Sequence, residues 1–218
     1  MAIRKCVVAV PARLQSSRLP NKVLADIGGK PMIQRVLERC REARTVESVV
    51  LCTDSAELQT QAEGWGFPVL MTAESCSSGS ERIASVAHSL MALAWGDVDP
   101  VAEETAVINV QGDQPFIDPG VIDSMVEEFR RQDPVPAVVT PVYGLKPDSV
   151  HNPNVVKTLL AHDGRALYFC RSAIPHVRDV AEADWHQHTT YWGYVGMYGF
   201  RGDVLAGRDQ LPASPLED

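Results

Sequence analysis

The chain has 218 residues, a net charge of −8, and 45% hydrophobic and 22% charged residues. These are the proportions of one folded domain with a full-sized core and room for a small appended lobe, and they exclude a disordered chain. The acidic balance argues against a nucleic-acid partner, which needs a broad basic surface; no apolar run approaches the ~20 residues of a membrane span, and the layout of a signal peptide is missing, so no membrane partner is expected. The five cysteines, Cys6, Cys40, Cys52, Cys76 and Cys170, are scattered without a C-x-x-C pair. They read as reduced thiols of a cytoplasmic protein.

"KCVVAV", Lys5 to Val10, is a compact apolar run of the kind a buried parallel strand makes. Pro31 opens a helix in which Met32, Ile33, Val36, Leu37 and Cys40 share one face. "ESVVLCT" reads as a second strand, with Asp54 as the expected N-cap of a helix over "SAELQTQAEGW". "PVLMT" is a short third strand. "SERIASVAHSLMALAW" reads as one helix with Ile83, Val86, Ala87, Leu90 and Met91 inward, starting from Ser78 or Ser80 as cap. A fourth strand, "TAVINVQGD", leads to a helix from about Pro119 to Gln132, and "AVVTPVY" is a fifth strand.

Regular alternation of strand and helix predicts an α/β fold, a mostly parallel Rossmann-like sheet with helices on both faces. Ligands bind such sheets at the carboxyl ends of the strands. After Pro147 the pattern changes. "NVVKTLLAHDGRALYFCR" reads as a hairpin turning at Asp163-Gly164, and "YWGYVGMYGFR" as a further strand. The expected organisation is therefore a nucleotide-binding core over 1–146 and a smaller β-rich lobe over 147–218.

The loop "VPARLQSSRLPNK" carries Arg13, Arg18 and Lys22 directly after a buried strand. Three cations within ten residues of an acidic chain suit an anion of several charges, since guanidinium groups grip phosphate oxygens in pairs and Lys adds a point charge. Neither G-x-x-x-x-G-K-S/T nor G-x-G-x-x-G is present, so a polyphosphate would be held by another design. Asp113, in "NVQGDQP", is a candidate Mg²⁺ ligand, because Mg²⁺ takes one or two carboxylates and completes its shell with water and phosphate oxygens. "WHQH" (Trp185 to His188) lacks the Cys partners of a zinc site, "RGD" (Arg201 to Asp203) carries no weight in a cytoplasmic chain, and His88 is not a base candidate.

"VPARLQSSRLPNKVLADIGGKPMI", "SGSERIA", "NVQGDQP", "NPNVVK", "ALYFCR" and "GMYGFR" together resemble, in order and spacing, the 3-deoxy-manno-octulosonate (Kdo) cytidylyltransferases. The resemblance implies an enzyme that couples CTP to Kdo, giving CMP-Kdo and pyrophosphate for lipopolysaccharide biosynthesis, with Mg²⁺ and as a homodimer. It implies that Pro11, Ala12, Arg13, Arg18, Lys22, Ser78 and Gly79 bind CTP, and that Arg82, Gln111 and Tyr194 approach the sugar acid. Asp113 would hold the metal, and Arg13, Lys22 and Asp113 would carry the chemistry.

The sequence departs from the family in three places. Gln114 stands where the family carries Glu, and Tyr194 where it carries His, which leaves a modified Kdo or another acidic acceptor as an alternative substrate. The chain stops at "SPLED", where Ser214, Pro215 and Glu217 read as a helix start. The family continues to a second metal-binding Asp, so a fragment, or a non-catalytic CTP-binding protein lacking that carboxylate, is the other reading.

Overall fold

A computed structural model of the chain describes residues 2–15 and 20–210. Arg18 and the helix start expected over 214–217 lie outside the described residues. Strand β1 (Lys5–Ala12) is buried at every position but its first, as an apolar run is when strands flank it on both sides and helices cover both faces. Its neighbours are β2 (Ser48–Thr53) and β4 (Thr105–Asn109), both parallel to it, and β3 (Val69–Met71) extends the sheet beyond β2, again in parallel.

The crossovers are helical. Helix α1 (Met32–Arg41) follows Pro31 and buries Ile33, Val36, Leu37 and Cys40, the face its spacing predicts. Helix α2 (Ala56–Gly64) lies between β2 and β3; its cap is Ser55, whose Oγ accepts from Leu58 N at 3.3 Å, and not Asp54 as expected. The helix predicted across 80–95 is divided. Helix α3 (Gly79–Ala84) stops at Ser85, whose hydroxyl donates to Arg82 O (2.8 Å), and α4 (Ala87–Trp95) begins after Val86 at φ −120°, ψ 18°. A serine bonding back three residues competes with the helical ladder, and one alternation of face is lost there. Ile83, Ala87, Leu90 and Met91 still pack on Val7, Ala9, Val50 and Val107. Successive side chains alternate across a strand, so Val8 and Val10 face the side covered by α1 and α5 (Pro119–Arg131).

Helix α5 starts from Asp118, whose Oδ1 accepts from Gly120 N (2.9 Å). Its buried Asp123 accepts from Arg44 N and Thr45 N (both 2.9 Å) and from Thr45 Oγ1 (2.8 Å), fastening the turn between α1 and β2. Burial pushes the Asp123 carboxyl up, but those hydrogen bonds outweigh it and hold the group below the usual carboxylate range.

The expected fifth strand is also divided. Strand β5 (Val138–Val139) belongs to the large sheet and β6 (Val142–Gly144) to a second one, with Pro141, which has no N–H for a ladder, between them. The second sheet is antiparallel, in the order β6-β9-β7-β8. It holds β7 (Lys157–Leu160), β8 (Ala166–Cys170) and β9 (Trp192–Tyr194), and Gly164 takes φ +85° at the β7–β8 turn that Asp163-Gly164 signals. Strand β10 (Tyr198–Arg201) returns to the large sheet, antiparallel to β4 and β5, completing the order β3-β2-β1-β4-β10-β5; α6 (Gly202–Ala206) follows.

The two compact units are 1–139 with 197–218, and 140–196. The lobe expected over 147–218 thus begins earlier, and the chain leaves it at Gly196 (φ +86°) where one continuous strand was expected. The smaller unit packs Val150, Trp185 and Tyr191 as its own core. It also buries Lys157, whose Nζ donates to Asn152 O and Val155 O, both at 2.8 Å.

All five cysteines are unpaired. Burial pushes the Cys6, Cys40 and Cys52 thiols up, the last two to about 12, so they stay protonated at neutral pH. Among the described residues no helix is long and apolar enough to cross a membrane.

Candidate active site

Because β1, β2, β3 and β4 are parallel, their carboxyl ends lie along one edge of the sheet. There a cavity of about 500 Å³ is lined by Pro11, Ala12, Arg13, Gln15, Lys22, Val23, Cys76, Ser77, Ser78, Gly79, Arg82, Gln111, Gly112 and Asp113. Nine of the residues singled out from sequence, Pro11, Ala12, Arg13, Lys22, Ser78, Gly79, Arg82, Gln111 and Asp113, meet in this one cavity. Tyr194 stands on β9 of the smaller unit, its ring edge-on to Phe169 at 5.3 Å. Arg18 lies outside the described residues.

The basic loop folds back on its own strand. Asn21 N donates to Leu14 O (3.1 Å), and Asn21 takes the left-handed conformation (φ 55°), which Asn tolerates better than most residues. That turn delivers Lys22 to the cavity, where its Nζ donates to Asp113 Oδ2 at 2.8 Å, with 40% and 48% of the two side chains exposed. Arg13 is exposed. The cavity lining therefore carries two cations and one carboxylate that solvent can reach.

The start of α3 forms another part of the lining. Ser78 Oγ accepts from Glu81 N (3.1 Å), and the Glu81 carboxylate accepts from Ser77 N (2.7 Å) and Ser77 Oγ (2.5 Å). The hydroxyl of Ser77 holds Glu81 below the usual carboxylate range. This is a capping box displaced by one residue. It leaves Ser78 and Gly79 against the end of β1: a Cβ on Gly79 would lie 3.0 Å from Pro11 Cγ and 3.5 Å from Gln111 Oε1. Gly112 is equally confined, since its Cβ would meet Pro11 O at 3.0 Å and Ile33 Cδ1 at 3.2 Å.

Arg82 is 3% exposed although it lines the cavity. Its guanidinium donates from NH2 to Asp54 Oδ2 at 2.6 Å and from NH1 to Thr72 Oγ1 and to Ala73 O (3.4 Å). Asp54, read from sequence as a cap, is instead the counter-charge of a buried arginine. Gln111 Nε2 donates to Asn109 Oδ1 (3.3 Å) at the end of β4, which sets the orientation of its amide.

Gln15, Val23, Cys76, Ser77 and Gly112 are the lining residues that sequence reasoning missed. Each lies within two positions of a residue that was named, so extending the motifs by one or two positions finds them. Among the described residues, no three His, Cys, Asp or Glu side chains cluster to hold a metal. Asp113 offers a single carboxylate beside the Lys22 cation in the cavity lining. That donor set suits a hard cation which takes its other ligands from water and phosphate.

The sequence signature of the cytidylyltransferase family matches residues 7–217. A 3-deoxy-manno-octulosonate cytidylyltransferase from Myxococcus xanthus is 38% identical over 214 residues, 98% of this chain and 80% of that protein. One from Polynucleobacter necessarius is 40% identical over 212 residues, 96% of this chain and 78% of that protein. The solved structure of a CMP:2-keto-3-deoxy-manno-octonic acid synthetase complexed with CTP is 34% identical and superposes with a TM-score of 0.84, covering 98% of this chain and 81% of that one. A parallel-sheet edge with a cationic mouth, matched by relatives of this identity along nearly its whole length, makes the chain a member of the cytidylyltransferase family and a nucleotidyltransferase.

Proposed function

We propose that this chain transfers the cytidylyl group of CTP to Kdo, giving CMP-Kdo and pyrophosphate for lipopolysaccharide biosynthesis. The observation that carries the reading is that Arg13, Lys22 and Asp113 line one cavity together with Ser78 and Gly79, with Lys22 and Asp113 paired at 2.8 Å. The names of the relatives supply the substrate pair.

Pro11, Ala12, Ser78 and Gly79 receive the nucleoside half, where the backbone is too closely packed for added side chains. Arg13 and Lys22, with Arg18 from the same loop, hold the triphosphate. The resemblance assigns Gln111, Arg82 and Tyr194 to the sugar acid. The anomeric hydroxyl oxygen of the acceptor bonds to the α-phosphorus in line with the departing pyrophosphate. The bond to the bridging oxygen breaks, and the hydroxyl proton passes to water. Arg13 and Lys22 stabilise the charge that develops on the leaving group. Asp113 would hold Mg²⁺, which supplies positive charge to the phosphate oxygens.

Without ligand, Lys22 and Asp113 neutralise each other; a triphosphate of about four negative charges draws Lys22 toward itself and releases Asp113. The protein acts in the cytoplasm, where unpaired cysteines stay reduced. It works as a homodimer, for which the exposed apolar edge strand β8, with Leu167 61% and Tyr168 56% exposed, is the supporting feature.

The test is pyrophosphate release with CTP and Mg²⁺, comparing Kdo with other sugar acids, in the wild type and in Asp113→Ala. Release with Kdo that collapses in the variant supports the reading. Better turnover of another acid would move the assignment to the alternative acceptor that Tyr194 and Gln114 motivate. CTP binding with no release from any acceptor would leave a nucleotide-binding protein.

A further inference from the structure

We propose that Asp54 is a positioning residue for the nucleoside half of this cavity, acting through Arg82. The inference rests on the CTP reading given above. Arg82 belongs to α3, whose first residues form the cavity wall, and its guanidinium reaches across to the ends of two strands. It bonds Asp54 beyond β2 at 2.6 Å, and Thr72 and Ala73 beyond β3. Only 4% of its side chain and 16% of that of Asp54 is exposed.

Two consequences follow from this geometry. The first is mechanical. Gly79 approaches Pro11 so closely that a Cβ there would already sit 3.0 Å from the ring. The width of the slot between α3 and β1 therefore depends on how α3 is held, and the Arg82–Asp54 bond is the charged strap that holds it. The second is electrostatic. Asp54 cancels the charge of Arg82, so among the described lining residues the attraction for a polyphosphate is left to Arg13 and to Lys22, which a triphosphate draws away from Asp113. CTP then enters in one orientation, phosphates toward the cations and base toward α3. This gives Arg82 a different task from the sugar contact that the resemblance implies, because its carboxylate partner is already in place.

Replacing Asp54 by Asn keeps the size and a hydrogen-bond acceptor but leaves an arginine cation unmatched at the nucleoside end. The expected result is a KM for CTP raised about 10-fold, the equivalent of about 1.4 kcal/mol of lost binding. The KM for the sugar acid should stay within about 2-fold, because the strap touches only the nucleotide slot. Asp54→Glu, which restores the charge, should recover part of the loss, as should the doubly neutral pair Asp54→Asn with Arg82→Gln. A purely structural role would lower the melting temperature without splitting the two KM values. An unchanged KM for CTP overturns the proposal, and so does an effect confined to the acceptor, which would return Arg82 to the sugar acid.

Calorimetric titration with CTP runs beside the kinetics. If the wild type binds CTP but turns nothing over, the functional reading fails while the titration of Asp54→Asn still decides this one. A wild type that binds no CTP overturns both. Should Asp54→Asn fail to fold, Asp54→Glu and Arg82→Lys carry the same comparison, since both preserve the charges while displacing the strap.

Discussion

Lys22 and Asp113 meet at 2.8 Å with 40% and 48% of their side chains exposed, whereas Arg82 and Asp54 meet at 2.6 Å with 4% and 16% exposed. Both pairs lie along the same edge of the sheet and line the same cavity or back its wall. Water screens the first, so holding it together contributes only about 0–1 kcal/mol, and the pair can open for a ligand at little cost. The second is shielded, and removing one partner strands a charge. The difference teaches that similar distances encode opposite tasks, one pair exchangeable and one permanent, with solvent deciding between them.

The sharpest way to break this comparison is Arg82→Met. It leaves the Asp54 carboxylate without its cation and should cost about 3–5 kcal/mol in denaturant unfolding, against less than about 1 kcal/mol for Lys22→Met. Equal losses in the two variants would end the distinction. Asp113→Ala should leave the unfolding midpoint nearly unchanged while pyrophosphate release falls about 100-fold or more, the scale seen when a charge-stabilising group is removed.

Lys22→Met sharpens the exchange. CTP affinity should fall roughly 10-fold, the equivalent of about 1.4 kcal/mol. Free Mn²⁺, followed by its electron paramagnetic resonance signal, should bind several-fold more tightly than to the wild type, because the competitor for Asp113 is gone. Unchanged Mn²⁺ affinity would mean that Lys22 does not guard the carboxylate.

A smaller loss than that of Arg82→Met is expected at Asp123, a buried carboxylate held mainly by hydrogen bonds, with the exposed Arg44 guanidinium 3.5 Å away. Asp123→Asn should lose about 1–2 kcal/mol near neutral pH. The native group has a lowered pKa, so its contribution is present above the unfolded value of about 3.9 and disappears as pH falls through the lower native one. Wild type and variant should therefore converge in stability in strong acid, as read from unfolding curves at stepped pH.

Much of the core was legible along the chain. The run Cys6 to Val10 is apolar without interruption, and it forms the central strand; Ile33, Val36, Leu37 and Cys40 keep one helical face, and that face is buried. Less legible were the places where the chain changes sheets. Ala137 to Tyr143 and Tyr191 to Arg201 each read as one strand, yet each serves two sheets, with Pro141 and Gly196 as the quiet marks of division. Asp54 was misread for a related reason. A carboxylate directly before a helix has a local use as a cap, and nothing nearby in sequence announces an arginine 28 residues away.

The sequence by itself determined the alternation of elements, the parallel sheet, the basic loop after β1 and the carboxylate after β4, because each is written in neighbouring residues or in a short period. Only the tertiary structure decided which ion pair stays in water and which is sealed, and which strand ends meet around the cavity. Burial and pairing across the sheet depend on distant segments arriving together, and no local pattern records that.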